Sequence, residues 1–208
     1  MKKLDLKKQY KDLYSPSAKE ISVVKVPRFN FIMVSGQIPP IISVADAPDY
    51  QAALETLYGL SYTLKFMVKR RTGTDWGVMP LEGLWWADDY SSFTARAKDE
   101  WRWTMMIMAP DFITRWMFEE AVARTGKKLG SPPSSLRLEP YDEGLSVQIL
   151  HFGSYDDEAP TIKRLHEEFI PQHGLTENGL HHEIYLSDPR KTEASKLKTI
   201  LRQPVRRI

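Results

Sequence analysis

A long amphipathic helix is the sequence feature that most restricts the fold of this chain. Within residues 49–70, five apolar side chains recur at helical spacing: Ala53, Leu57, Leu60, Leu64 and Met67. Such a helix must cover an apolar surface, and its neighbours in the chain are strand-like. Residues 21–40 before it, and 77–88 and 100–110 after it, are rich in β-branched and aromatic residues. The pattern therefore predicts helices packed on a sheet.

The later part of the chain follows a similar order. A second helix is predicted over residues 111–128, with Asp111 as its N-terminal cap and Gly126 as its stop. The remaining segments are, in chain order, a strand pair over 136–155, a third helix over 157–174, a short strand between Gly179 and Asp188, and a weakly helical stretch over 191–205.

This order suggests a duplicated strand–helix–strand–strand unit in an α+β fold, with an antiparallel sheet and helices on one of its faces. The halves would span approximately 21–126 and 135–208, within a single domain over 21–208. Residues 1–20 read as a Lys-rich, mobile leader. The polar stretch 88–100 is expected to join two strands into a hairpin.

The composition narrows the class of protein. The net charge of +2 balances 29 basic against 27 acidic residues, which predicts neither direct nucleic-acid binding nor attraction to an anionic membrane. No cysteine occurs, so disulfides and thiolate catalysis are excluded and a cytoplasmic location is expected. No segment reads as a signal peptide or a membrane span.

A carboxylate stands in the middle of the short strand after Gly179. Strand residues alternate between faces, so Glu183 and Tyr185 share one face while His182 and Ile184 share the other. If the Ile184 face packs on the core, the Glu183 face meets either solvent or a cavity. Burial of an unpaired carboxylate is costly and is tolerated where the group works as a base or as a partner for a cation.

Tryptophans are concentrated in two predicted strands. Four of the six fall there, namely Trp85, Trp86, Trp101 and Trp103. Cross-strand packing in a core is one interpretation. The other is a flat-walled pocket for an aromatic ligand, to which Met105 and Tyr62 would add apolar surface. Because Trp85 and Trp86 are adjacent, they point to opposite faces of their strand.

No metal site or cofactor is predicted. The five histidines are scattered, and the adjacent pair His181 and His182 projects to opposite faces of a strand. Motifs for phosphate loops, dinucleotides and nucleophilic serines do not occur in the sequence.

Several segments together resemble the GyrI-like small-molecule-binding family. HEIYLSDPRKTEASKLKTILRQPV (182–205) is similar to its closing segment, whose last strand carries Glu in an E-x-Y-x run. HFGSYDDEAPTIKRLHEEFI (151–170) is similar to its glycine-bounded strand and second helix. GLWWAD (83–88) and DYQAALETLYGLSYTLKF (49–66) fit its stand-alone branch of roughly 200 residues.

The resemblance implies two strand–helix–strand–strand units related by pseudo-twofold symmetry, with a hydrophobic ligand channel between the halves. In multidrug-sensing transcription activators of the family, this domain is attached to a DNA-binding domain and a central Glu meets cationic aromatic drugs. Some stand-alone relatives are hydrolases that open the cyclopropane of DNA-alkylating natural products such as yatakemycin. The family's strand carboxylate corresponds to Glu183.

Three hypotheses follow from the sequence. The first is a detoxifying hydrolase that opens an electrophilic cyclopropane with water, with Glu183 as general base and Tyr185 as hydrogen-bond donor. The second is a module that sequesters or senses cationic aromatic compounds without turnover, with Glu183 as counter-charge. The third is an inhibitor of a macromolecular target. The expected partner in the first two is a hydrophobic, planar aromatic small molecule, and the oligomeric state is left open.

Overall fold

The computed structural model describes residues 2–38, 44–87 and 101–208. The chain forms two compact units, and both are discontinuous in sequence. The first unit consists of Met1–Leu6, Phe29–Met79 and Trp85–Tyr141. The second consists of Lys7–Arg28, Pro80–Leu84 and Asp142–Ile208.

The strands are numbered in chain order. They are β1 (Lys2–Leu4), β2 (Ser22–Val26), β3 (Phe29–Gln37), β4 (Thr74–Trp76), β5 (Leu81–Ala87), β6 (Trp101–Ala109), β7 (Arg137–Tyr141), β8 (Gly144–Phe152), β9 (Leu175–Glu177), β10 (His181–Tyr185) and β11 (Lys198–Arg207).

The helices are short apart from two. They are α1 (Leu6–Gln9), α2 (Lys11–Tyr14), α3 (Pro48–Thr72), α4 (Arg115–Leu129), α5 (Ala159–Lys163) and α6 (Ile170–Gln172), with a π-helix over Arg164–Phe169 that joins the last two and 3-10 turns at Val44–Asp46, Tyr155–Asp157 and Ala194–Lys196. Within the described part of the chain, none of these helices is long and apolar enough to cross a membrane.

Helix α3 has the apolar face that its sequence predicts. Its five periodic positions are almost fully buried, namely Ala53, Leu57, Leu60, Leu64 and Met67. Pro48 occupies its first turn, where the missing N–H costs nothing. The helix ends at Gly73, whose φ of 72° is left-handed and whose N–H donates to the Lys69 carbonyl.

Helix α4 begins and ends later than predicted. Its cap is Thr114, whose hydroxyl accepts a hydrogen bond from the Met117 N–H at 3.3 Å, and not Asp111. Gly126 lies inside the helix, and Gly130 ends it. Both predicted boundaries are therefore wrong. The sequence contains two capping residues, Asp111 and Thr114, and two glycines, Gly126 and Gly130, and the helix uses the later one of each pair.

The first unit carries an antiparallel sheet in the order β5–β6–β3–β7, to which β5 contributes only residues 85–87, and β1 lies parallel to β4. Strand β3 pairs with β6 from Asn30 opposite Ala109 to Gln37 opposite Arg102. The second unit carries the order β2–β8–β11–β10, with β9 also on β11. Its apolar core contains Val147, Ile149, Leu165, Ile170, Leu175, Leu201 and Val205.

The predicted α+β fold with a duplicated unit is confirmed. The series β3–α3–β5–β6 in the first unit matches β8–α5–β10–β11 in the second. In both series the last of the three strands lies between the other two. The hairpin connection predicted over 88–100 lies outside the described residues.

Three local predictions are wrong. The strands of the segment 136–155 do not pair with each other, since β7 pairs with β3 whereas β8 pairs with β2 and β11. The stretch 191–205 is not helical beyond a short 3-10 turn, because most of it forms β11. The Lys-rich start is structured rather than mobile, since Leu13 and Tyr14 are buried in the second unit.

Candidate functional site

Strand β10 presents two chemically different faces. It pairs antiparallel with β11, with Glu183 opposite Leu201 and Tyr185 opposite Thr199. His182 and Ile184 are completely buried on one face. On the other face the Glu183 side chain is 14% exposed, so its carboxylate is only partly accessible to solvent.

The Glu183 carboxylate is held by its neighbours on the same face. The Tyr185 hydroxyl donates to Glu183 Oε2 at 2.8 Å. Nε2 of the buried His181 lies 3.6 Å from Oε1. The Tyr185 ring packs edge-on against Tyr155, with 5.7 Å between ring centroids. The strand alternation that the sequence predicts therefore brings Glu183 and Tyr185 into direct contact.

A second carboxyl group, Glu158, belongs to the same cluster. It precedes helix α5, after a turn that Ser154 and Asp157 close through a capping box. Glu158 is only 3% exposed, and its side chain is hydrogen-bonded to Thr199. Burial raises the pKa of Glu158 to about 9, and the nearby Glu183 charge adds to the increase.

Two carboxyl groups with different environments can divide acid and base roles. When one is ionised, its charge favours the protonated form of the other. Here Glu183 is partly exposed and hydrogen-bonded by a phenol, whereas Glu158 is buried. Pairs of this kind supply a base and an acid to one reaction.

The opposite face of β10 carries a buried ionic network. His182 Nδ1 lies 2.9 Å from Glu143, and its Nε2 lies 3.0 Å from Glu82. Arg202, directly opposite His182 on β11, donates to Glu143 at 3.1 Å. The Tyr14 hydroxyl donates to Glu82 at 2.8 Å. All of these residues belong to the second unit.

The network fixes the ionisation of its members. Burial opposes the charge on His182, but the adjacent Glu143 and Glu82 raise its pKa to about 9. Burial likewise opposes the charge on Glu143, but His182 and Arg202 lower its pKa to about 2. Two cations thus face two acidic side chains, which satisfies charges that would be costly to bury alone.

The six residues predicted to line an aromatic pocket all lie in the first unit, and three of them are buried. Trp85 is 7% exposed and meets Trp101 edge-to-face at 6.3 Å between ring centroids. Trp103 and Met105 are buried as well. Trp86 is half-buried, next to Trp85 on β5.

Tyr62 differs from the other predicted ligand-binding residues. It is 48% exposed on α3 and stacks on Phe66. Trp103, in contrast, packs edge-on against Tyr50 at 5.5 Å. A role of any of these side chains in ligand binding stays a prediction.

The sequence did not identify three important acidic side chains or the role of His182. Glu158 lies in the run DDEA, which is typical of a solvated helix start. The available signal was a charged residue inside an apolar strand pattern, which Glu82 and His182 both show. Among the described residues, no group of three or more acidic or histidine side chains is arranged to hold a metal ion.

Comparison with protein families gives a match over most of the chain. The sequence model of the GyrI-like small molecule binding domain matches residues 19–206. A structure of an uncharacterized conserved protein from Listeria innocua shares 38% identity and a TM-score of 0.87, covering 98% of this chain and 100% of that one. No curated protein sequence matches the chain.

Two further structures from Listeria innocua are described as hydrolases. One shares 37% identity with a TM-score of 0.85, covering 99% of this chain and 100% of that one. The other shares 36% identity with a TM-score of 0.82, covering 98% and 100%.

Proposed function

Since the chain belongs to the GyrI-like small-molecule-binding family, we propose that it is a hydrolase of hydrophobic, planar aromatic molecules that carry an electrophilic cyclopropane. The observation that carries this proposal is the contact between the Glu183 carboxylate and the Tyr185 hydroxyl at 2.8 Å on a partly exposed strand face. The similarity to two proteins described as hydrolases supports turnover rather than binding alone.

Glu183 acts as the general base in this proposal. It removes a proton from a water molecule while the water oxygen attacks the ring carbon of a cyclopropane fused to a dienone. The strained carbon–carbon bond breaks, and its electron pair moves through the dienone to the carbonyl oxygen, which becomes a phenol on protonation. General base catalysis contributes about 10²–10⁴-fold, which is effective where ring strain already favours opening.

Tyr185 positions the base. Its hydrogen bond to Oε2 fixes the carboxylate plane and leaves Oε1 as the oxygen available to water. Strand β10 is held in register by its ladder to β11, so the base stands on a rigid element rather than on a loop.

The experiment compares the wild type with Glu183→Gln, which keeps the side-chain shape and removes its basicity. The probe is a spirocyclopropyl cyclohexadienone, whose hydrolysis gives a hydroxyethyl phenol that is measured by chromatography. We expect kcat for the variant to fall about 100-fold or more. Glu168→Gln, an exposed glutamate on the π-helix, is the matched control and should keep its activity.

Two results would contradict the proposal. A wild-type protein that binds the dienone without converting it is a binding module and not this hydrolase. Full activity in Glu183→Gln would keep the hydrolase but remove Glu183 as its base.

A further inference from the structure

Glu158 is a buried acidic side chain in the same cluster as Glu183, although the two residues lie on different elements. It is 3% exposed, at the start of α5, and Thr199 of β11 hydrogen-bonds its side chain. Thr199 stands opposite Tyr185 in the sheet, so the two carboxyl groups flank the same pair of side chains. Glu158 Oε1 is buried and has no hydrogen-bond partner among the described residues.

A buried carboxyl oxygen without a partner is unusual, because an unmatched polar atom destabilises the folded state. A neutral carboxyl group tolerates this position better than a carboxylate does. The charged groups that act on Glu158 are Glu183 from β10 and Asp156 from its own turn, and both are acidic. His151 at the end of β8 acts on the adjacent Asp157, and its Nδ1 lies 3.0 Å from the Thr161 hydroxyl. The surroundings therefore keep a proton on Glu158.

We propose that Glu158 is the general acid of this site and gives its proton to the oxygen that the ring opening releases. This inference rests on the proposed hydrolase function. As Glu183 takes a proton from water and the new carbon–oxygen bond forms, the dienone oxygen receives the electron pair of the broken ring bond. Glu158 transfers its proton to that oxygen, which leaves a phenol and the Glu158 carboxylate. One proton then returns from Glu183 to Glu158, directly or through solvent, and the site is restored.

The inference also defines the substrate class. The site favours strained-ring electrophiles whose released oxygen is basic enough to need a proton. Substrates that release a more acidic phenol depend less on Glu158, because the oxygen carries its charge more easily. The dependence on the released oxygen separates a general acid from a residue that only maintains the fold.

The first measurement is independent of turnover. An infrared difference spectrum between the wild type and Glu158→Gln at neutral pH should contain the carbonyl band of a protonated carboxyl group. If the wild type lacks this band, Glu158 is ionised and the inference is overturned.

The second measurement uses two probes, the spirocyclopropyl cyclohexadienone and its analogue with fluorine atoms beside the carbonyl group. Glu158→Gln should lower kcat about 100-fold for the parent compound and about tenfold or less for the fluorinated compound. The fall in wild-type kcat as the pH rises through about 9 should disappear in this variant. Glu168→Gln should behave as the wild type with both probes.

Each outcome has one interpretation. Equal losses with both probes identify a structural role and overturn the inference, as does undiminished turnover in Glu158→Gln. If Glu183→Gln is inactive while Glu158→Gln is active, the hydrolase proposal stands and only the role of Glu158 fails. If the wild type converts neither probe, the hydrolase proposal fails and this role fails with it.

Discussion

The buried network around His182 makes the stability of the second unit depend on pH. We consider Glu143→Gln, which removes one negative charge beside His182 and Arg202 with little change of shape. The substitution leaves Arg202 and His182 facing fewer anions, and breaking a buried pair in this way costs about 3–5 kcal/mol. We expect the free energy of unfolding to fall by this amount at a pH at which His182 is protonated in both the folded and the unfolded protein.

The pH dependence of this cost follows from the raised pKa of His182. Below pH 6.5 both the folded and the unfolded states hold the His182 proton, so its stabilising contribution is complete. Between pH 6.5 and about 9 the unfolded state loses the proton first, so stability decreases. Since each pKa unit is worth about 1.36 kcal/mol, the whole interval corresponds to about 3 kcal/mol. Glu143→Gln should therefore cost about 3 kcal/mol less at pH 9.5 than at pH 6.

Urea unfolding of both proteins at the two pH values measures this difference. Groups that titrate equally in both proteins, Glu158 among them, cancel in the comparison. Glu139→Gln is the matched control, because Glu139 forms a surface ion pair with Arg137 that is worth about 1 kcal/mol or less. A cost of Glu143→Gln that is the same at both pH values, or larger at pH 9.5, would refute the assignment of a protonated His182.

Two packing and capping predictions complete the set. In Gly36→Ala, the new Cβ would clash with the Trp103 ring, so we expect the free energy of unfolding in urea to fall by about 1–3 kcal/mol. The control Gly77→Ala, with no atom within 4 Å of its Cβ, should lose far less. Thr114→Ala removes the cap of α4 and should lower the thermal midpoint in line with a loss of about 1 kcal/mol. Asp111→Ala should leave that midpoint nearly unchanged. A larger decrease in Asp111→Ala than in Thr114→Ala would identify Asp111 as the cap after all.

Helix α3 was predictable from sequence because one physical requirement determined all of its periodic positions. A surface helix buries one stripe, and Ala53, Leu57 and Leu64 all lie on it. The faces of β10 were predictable for the same reason, since strand alternation places Glu183 beside Tyr185 whatever packs around them. Such inferences need only the geometry of one element.

Strand β11 was not predictable, because its burial depends on partners that are distant in sequence. Arg202 and Gln203 are almost completely buried, although in a sequence they indicate an exposed face. Arg202 is satisfied by Glu143, Gln148 and the Leu13 carbonyl. Glu158 was not predictable for the same reason, because it is buried next to Thr199 of β11, which is distant from it in sequence.

The segmented origin of the second unit means that it cannot be excised as a gene fragment. A fragment starting at residue 142 would keep Glu143 beside Arg202 and His182. It would lose Glu82, which lies 3.0 Å from His182, and the Leu13 and Asp12 carbonyls, which accept hydrogen bonds from Arg202 and Gln148. Truncation would thus leave buried donors of Arg202 and Gln148 without their acceptors, on a sheet that also lacks its edge strand β2. A split-protein sensor that uses the second unit would need residues 7–28 as well, either in the same polypeptide as residues 142–208 or as a separate complementing peptide.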